Sequence, residues 1–384
     1  MNLEKLREQI DEVDSRLLGL FEQRMELSLK VADEKRKSSR PVFDPEREAE
    51  KMAKISRLAE PTLKSYAMGL YDTLFELSKS YQRTRVSHAS PFFEEIQAAV
   101  RDSGLPKSAS IACPGVEGSF SQLACEKLFA YPRLVHLKSD SFEKVFDAIH
   151  SGLCEYGVLP LENNTTGLVG KIYDLMQSRY SGFKIVGSVR VGISHNLLAP
   201  AGVKIQEIRE LFSHEQALRQ CGGYIENRLP GVKLVECENT SIAAQKVAES
   251  GRKDVGAICS LRCAELYHLN CLERNVQDSK ENYTRFICIS KNLEIYPGAN
   301  RTSIIMVLPH RPGALAKALT RFYSLGLNLT KLESRPLFEQ ESEKVMFYLD
   351  FEASPHSEAF ARLMDEMRDF CQEFAYLGSY LEVV

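Results

Sequence analysis

The chain has 384 residues, enough for two or three domains. Its 44% hydrophobic and 26% charged residues are ordinary for a soluble globular protein. The net charge of −3, with 17 Lys+Arg against 16 Asp+Glu in the first 86 residues, leaves no domain-wide basic field for nucleic acid. Charge begins at Glu4 and no run approaches the ~20 apolar residues that span a bilayer, so the expectation is a cytoplasmic chain with no secretory leader and no membrane segment. Ten cysteines scatter through apolar segments such as "GAICSLRC", without a C-x-x-C and without His at zinc-ligand spacing. They read as buried, reduced thiols, with no metal site.

Residues 1–87 read as all helix. Apolar residues recur as Leu3, Leu6, Ile10, Val13, Leu17, Leu20, Leu27 and Val31, in steps of three and four, and Arg24 occupies one position of that seam. The predicted helix runs from Asn2 to Ser38, about 37 residues or ~55 Å, and a helix that long is expected to pack along another over its whole length. "RPVFDPERE" breaks it. Asp44 is a good N-cap and Pro45 a good first-turn residue for a second helix to Ala59. A third starts at Pro61, with a stripe of Leu63, Tyr66, Leu70, Leu74, Leu77 and Tyr81. Residues 88–107 read as linker around one short helix over 92–101.

Over residues 108–293, short apolar runs ("ASIAC", "YGVLPLE", "FKIVGSVRVGIS", "VKLVEC", "DVGAICS", "TRFICIS") alternate with amphipathic helices, which predicts an α/β domain, large enough for two lobes and a cleft. Over 299–384, "TSIIMVL", "PGALAKALTRFYSLG", "NLTKLESRPL", "EKVMFYLDFEA", "SEAFARLMDEMRDFC" and "AYLGSYLEVV" follow the order βαββαβ, an α+β ferredoxin-like plait.

An unpaired buried cation costs several kcal/mol, so Arg24 must meet an anion or reach water. A register-setting Glu or a snorkelling stem is one solution; an anionic ligand inside a helical bundle is the other. Lys35 lies eleven residues on, about 20° round the helix from Arg24. Arg47 and Glu48 fall in the first turn of the second helix, and Ser78 and Gln82 are i, i+4 on the third. These groups are cations and neutral donors, with no acid–base pair among them. The stretch "LREQIDEVDSRLLGLFEQRMELSLKVADEKRK…RPVFDPERE" closely resembles the all-helical class of chorismate mutase. The resemblance implies site residues Arg7, Arg24, Lys35, Asp44, Arg47, Glu48, Ser78 and Gln82. Chorismate to prephenate is a pericyclic rearrangement, so the catalyst must hold a dicarboxylate in its compact conformer and stabilise charge on the ether oxygen. Arg24 and Arg47 would grip carboxylates, Lys35 and Gln82 would donate to the ether oxygen, and Glu48 would accept from the ring hydroxyl. Arg7 is ~25 Å from Arg24 along one helix, so it would have to come from a second, antiparallel chain. The resemblance implies such an interlocked homodimer.

In the middle segment, "GVEGSFSQLAC" places glycines and hydroxyls before a helix, "LPLENNTTG" places polar side chains after a buried strand, "SHEQALRQCGGY" surrounds a helix start, and "NYTRF" opens a strand. Each alone also reads as an ordinary cap or turn. Together they resemble prephenate dehydratase, whose fold is two α/β lobes around a cleft, similar to periplasmic binding proteins. The resemblance implies Glu162, Asn163, Ser213, Gln220 and Thr284, with Thr240 of "ENTSIAA" lining the site. Thr284 is expected to donate toward the departing ring hydroxyl, polarised by a neighbour such as Glu162. Arg285 is expected either to bind a carboxylate or to brace the sheet. Val116, Asn164 and Asn239 depart from the family pattern.

In the last segment, "RPGALAKAL" and "LTKLESRP" resemble the phenylalanine-sensing ACT domain. This implies an effector site at Gly313, Ala314, Leu315, Asn328, Leu329, Glu333 and Ser334, placed between two such domains, and feedback inhibition by L-phenylalanine. The expectation is a bifunctional enzyme acting on chorismate and prephenate without metal or cofactor, a homodimer that could assemble into a tetramer. Arogenate dehydratase and a non-catalytic amino-acid sensor are the rivals.

Overall fold

The computed structural model describes residues 3–38, 44–86, 90–137, 141–165, 167–279, 281–339 and 342–384. The chain begins with three helices, α1 (Leu3–Lys37), α2 (Pro45–Leu58) and α3 (Lys64–Val86), then a short α4 (Pro91–Ala98). Asp44 caps α2 by accepting from Arg47 N at 3.1 Å, with Pro45 at the first helical position, as its sequence requires. The expected break at Arg40–Phe43 lies outside the described residues, as does His88–Ala89 of the linker.

The α/β segment carries β1 (Ser108–Pro114), α5 (Phe120–Leu128), β2 (Tyr131–Leu137), α6 (Glu143–His150), β3 (Tyr156–Asn163), β4 (Gly167–Leu168), α7 (Gly170–Gln177) and β5 (Lys184–Gly192). A second lobe follows: β6 (Asn196–Ala199), β7 (Glu210–Ser213), α8 (Glu215–Gln220), α9 (Gly222–Arg228), β8 (Lys233–Glu236), α10 (Thr240–Glu249), β9 (Val255–Cys259), α11 (Arg262–Leu266) and β10 (Asn270–Glu273). β11 (Tyr283–Ser290) returns to the first lobe. The plait is β12 (Arg301–Pro309), α12 (Ala314–Ser324), β13 (Asn328–Glu339), β14 (Ser342–Glu352), α13 (Glu358–Phe370) and β15 (Glu373–Tyr380), followed by β16 (Glu382–Val383).

Three sheets result, ordered β16-β5-β11-β3-β1-β2 with β4 on β3, β10-β6-β9-β7-β8, and β13-β14-β12-β15. The last is the βαββαβ plait its sequence order predicts. In the second lobe, Leu197 and Leu198 of β6 enter separate cores on the two faces of the sheet. A strand buried on both faces must be apolar at successive positions, which is how "NLLA" reads.

The chain divides into two compact units: Met1–Ala98 with Ile304–Phe374, and Ala99–Ser303 with Ala375–Val384. Two expectations about boundaries change. The linker helix is structural, because α4 buries Ile96 and Gln97 Nε2 donates to Pro355 O at 2.7 Å. The end of the chain also leaves the plait: β16 pairs in parallel with β5, extending the first-lobe sheet.

The seam of α1 is the larger departure. Leu3, Leu6, Ile10, Val13, Leu17, Leu20, Leu27 and Val31 are 40 to 63% exposed, and α3 packs instead against the Met25, Ser28 and Ala32 side of the helix. Leu63, just before α3, and Tyr66 and Leu70 on it are exposed as well. A single chain thus leaves two apolar faces uncovered on the same three-helix segment. All ten cysteines are free thiols, and among the described residues no helix is long and apolar enough to cross a membrane.

Candidate active site

In the helical segment, Arg24 Nη1 donates to Ser78 Oγ and to Leu74 O at 3.3 Å, with its guanidinium 5.7 Å from the Phe75 ring centre. Burial lowers the Arg24 pKa from its ordinary value. Gln82, one turn beyond Ser78, is buried with its Oε1 lacking a hydrogen-bond partner. Lys35 and Asp44 line a groove of about 1000 Å³ with Leu27, Lys30 and Val31. Glu48 is held by Lys79 Nζ at 3.1 Å, and Arg47 turns outward to Glu50 at 3.0 Å. Arg7 stands on the exposed half of α1. One chain therefore brings together Arg24 with Ser78, and Lys35 with Asp44, but does not converge all eight expected residues on one point. The uncovered seam lies between those clusters and Arg7.

The dehydratase-like segment is assembled more fully. β11 runs antiparallel to β3 with Thr284 opposite Asn163 and Arg285 opposite Glu162. Alternation along a strand puts the first pair on one face and the second on the other. The Thr284–Asn163 face lines a cavity of about 370 Å³, together with Gly115, Ser119, Gln220 and Thr240, a size suited to a small organic ligand. Two helices of this cavity begin at its wall. Ser119 Oγ accepts from Gln122 N at 3.3 Å to cap α5, and Asn239 Oδ1 accepts from Ile242 N at 2.8 Å to cap α10. Their free N–H groups and dipoles favour carboxylates.

Across the cleft runs a closed ring of hydrogen bonds in which each member donates to the next. Asn163 Nδ2 donates to Asn282 Oδ1 at 2.8 Å, and Asn282 Nδ2 to Gln220 Oε1 at 3.0 Å. Gln220 Nε2 donates to Thr165 Oγ1 at 2.7 Å, and Thr165 Oγ1 to Asn163 Oδ1 at 2.5 Å. The backbone sets the direction of the ring: Thr165 N donates to Asn163 Oδ1 at 2.9 Å and Asn163 Nδ2 donates to Tyr283 O at 3.0 Å, which orients Asn163 and through it the other amides. This direction leaves Gln220 Oε1 accepting from His195 Nε2 at 2.9 Å, so that nitrogen carries the proton. His195 is 2% exposed, and burial lowers its pKa, keeping the ring neutral. Asn163 Nδ2 also reaches Thr284 Oγ1 and Tyr283 O, each at 3.0 Å, so its two hydrogens are shared among three acceptors.

Three expected cleft residues lie elsewhere. Arg285 is 1% exposed, behind the sheet, where it donates to Ser188 Oγ at 3.1 Å and to Tyr380 OH, and pairs with Glu162 at 3.2 Å and Glu382 at 3.1 Å. It braces the sheet, and Glu162 is drawn to it and away from Thr284. Ser213 is fully buried, donating to Ile258 O at 2.6 Å within the second-lobe sheet. Thr165, His195 and Asn282 complete the cleft without having been singled out: Thr165 and Asn282 lie inside the motifs "LPLENNTTG" and "NYTRF", and His195 shows only as a polar pair "HN" between two apolar runs. Two of the three departures are absorbed: Asn239 caps α10, and the Asn164 amide bonds Glu281 O at 2.7 Å and Tyr283 N at 2.8 Å, joining β3 to the start of β11.

In the plait, Gly313 adopts φ +82 just before α12, a conformation that favours glycine. Ala314 is buried, Leu315 half-buried, and Asn328, Leu329, Glu333 and Ser334 lie on β13, the edge strand. Asn328 Nδ2 donates to Glu352 Oε2 at 3.2 Å. Among the described residues no group of three or more His, Cys, Asp or Glu is placed to hold a metal.

The family model for type II chorismate mutase matches residues 6–83, and that for prephenate dehydratase matches residues 111–294. Together with the fold, these define the class: an enzyme that joins a helical mutase to a two-lobed dehydratase. A bifunctional chorismate mutase/prephenate dehydratase of Aquifex aeolicus is 32% identical over 378 residues, covering 98% of this chain and 97% of that protein. The chain belongs to the family of bifunctional chorismate mutase/prephenate dehydratases. Arogenate dehydratase 2 of Petunia hybrida is 36% identical over 288 residues, covering 70% of this chain and 71% of that one. A solved prephenate dehydratase of Arthrobacter aurescens in complex with L-Phe is 25% identical with a TM-score of 0.64, covering 71% of this chain and 89% of that one.

Proposed function

We propose that the chain converts chorismate to prephenate in its helical segment and prephenate to phenylpyruvate in the cleft, under feedback control by L-phenylalanine. The observation that carries the second step is the Asn163–Thr284 hydrogen bond. Asn163 occupies the Thr284 oxygen as an acceptor, which leaves the Thr284 hydrogen free to donate into the cavity. A substrate carboxylate at the starts of α5 and α10 would place the ring hydroxyl over Thr284. As the ring C–CO2 bond breaks, its electron pair enters the ring and expels the hydroxyl, which takes a proton through Thr284 and leaves as water. Prephenate and one proton thus become phenylpyruvate, CO2 and water.

For the mutase step, the roles of Arg24, Lys35, Asp44, Arg47, Glu48, Ser78 and Gln82 require closer convergence than one chain provides. A second chain covering the α1 seam would supply it, with Arg7 donated across the interface. The plait is read as an ACT domain, with phenylalanine at Gly313–Leu315 and the β13 edge. The α1–α3 segment favours prephenate over arogenate as the dehydratase substrate, because that segment makes prephenate.

The test is to add chorismate to the purified chain and follow chorismate, prephenate and phenylpyruvate over time, with and without L-phenylalanine. Phenylpyruvate formation suppressed by phenylalanine is the expected result. Prephenate that accumulates and goes no further would sink the reading of Thr284, and faster turnover of arogenate than prephenate would reassign the cleft's substrate.

A further inference from the structure

Lys79 follows Ser78 on α3 but serves a different neighbour. Its Nζ lies 3.1 Å from Glu48 Oε1 and 3.3 Å from Glu48 Oε2, and 2.9 Å from Glu76 Oε1. The other Glu76 oxygen is taken by Arg321 Nη2 of α12. Arg321 in turn faces Glu366 Oε2 at 3.8 Å, lies 3.9 Å from the Phe370 ring centre, and donates from Nη1 to Lys317 O at 2.7 Å. Glu76, Arg321 and Glu366 are all buried, and Lys79 nearly so. Charges therefore alternate along one line, Glu48–Lys79–Glu76–Arg321–Glu366, from the start of α2 to the helices of the plait.

We propose that Lys79 is a positioning residue for the mutase reaction: it fixes the Glu48 carboxylate for the substrate hydroxyl, and Glu76 and Arg321 fix Lys79. The proposal rests on the reading of Glu48 given above. Glu48 extends from the first turn of α2, and without Lys79 its carboxylate has rotamer freedom to lose on binding substrate. Lys79 contacts both Glu48 oxygens, which sets the carboxylate plane as well as its place. Glu76 cannot move to follow Lys79, because Arg321 holds its other oxygen in a buried, charge-assisted bond.

The experiment uses the full-length chain and measures mutase kcat and KM separately from dehydratase turnover of added prephenate. Lys79→Met should lower mutase kcat/KM about tenfold, the size of one charge-assisted hydrogen bond, while dehydratase turnover stays within about twofold. Lys79→Arg should recover most of the loss. Glu48→Gln should be impaired, and Lys79→Met added to it should cost no more than a further factor of about two, since there is no carboxylate left to position. A merely structural Lys79 would instead multiply the two losses, and that result overturns the proposal, as does an unchanged Lys79→Met. An unchanged Glu48→Gln overturns the earlier reading of Glu48 instead. Loss of dehydratase activity would reveal misfolding of Lys79→Met. In that case Lys79→Gln, which is one atom shorter and uncharged but polar, takes its place under the same criteria.

Discussion

A threonine hydroxyl is a weak acid, so Thr284 can serve only if its surroundings turn the hydrogen toward the substrate. Asn163 does this by claiming the oxygen at 3.0 Å. Thr284→Ala is expected to lower dehydratase kcat by about 10²–10³, in the range of a lost proton donor, while mutase activity persists. Thr284→Ser should retain most of the rate, and a Thr284→Ala enzyme of near-native rate would remove the residue from the mechanism. His195 gives a second prediction. Its pKa is lowered in the fold, so the unfolded chain takes up a proton at higher pH than the folded chain does. Unfolding free energy should rise with pH from the folded pKa up to the ordinary value near 6.5. Chemical denaturation of wild type and His195→Asn at about pH 5 and about pH 7.5 checks this: the rise should shrink in the variant. Asn163, Gln220 and Thr284 were legible in short motifs, whereas Glu162 was misplaced. Neighbours on a strand face opposite sides, so which of Glu162 and Asn163 enters the cleft depends on register against β11, and a local motif does not carry register.

At the scale of elements, the close approach of β15 to β5 is a point of little tolerance. A Cβ at Gly378, where φ is +144, would stand 2.1 Å from Ile185 O, a backbone atom that cannot swing away. Gly378→Ala should lower the unfolding free energy by about 3 kcal/mol, measured by denaturant titration, and should not perturb α1–α3. An unaltered midpoint would mean that the two strands can separate at no cost. Element types were largely legible from periodicity: three helices, alternating strands and helices, then βαββαβ. What periodicity could not supply was the partner of each face. The α1 seam has the spacing of a coiled coil, yet α3 takes a different side of the helix, because Ser28 and Ala32 let two backbones approach more closely than leucines do. The short β16 was equally hidden, since two residues carry no period.

For the molecule as a whole, the uncovered faces of α1 and α3 support the proposed assembly of the mutase site from two chains. If Arg7 crosses between subunits, Arg7→Ala and Arg24→Ala are each inactive alone. Mixed, unfolded and refolded together, they should recover up to about one quarter of native mutase activity, because half of the dimers are mixed and each mixed dimer holds one intact site. No recovery would place Arg7 and its site in one chain. Leu17→Glu, on the same seam, should lower both sedimentation coefficient and mutase activity while dehydratase turnover survives.

Arg285 and its second carboxylate, Glu382, stand 97 positions apart in the chain. A ribosome adding ~5–20 residues per second exposes the first-lobe strands roughly 5–20 s before Glu382 emerges. Throughout that interval the Arg285 cation can pair with Glu162 but not with Glu382, and Tyr380 has not yet been made. The edge strand β16 and the Arg285–Glu382 pair can therefore form only after residues 301–380 have been synthesised. The brace on Arg285 is thus completed only after the segment proposed to sense phenylalanine has itself been made.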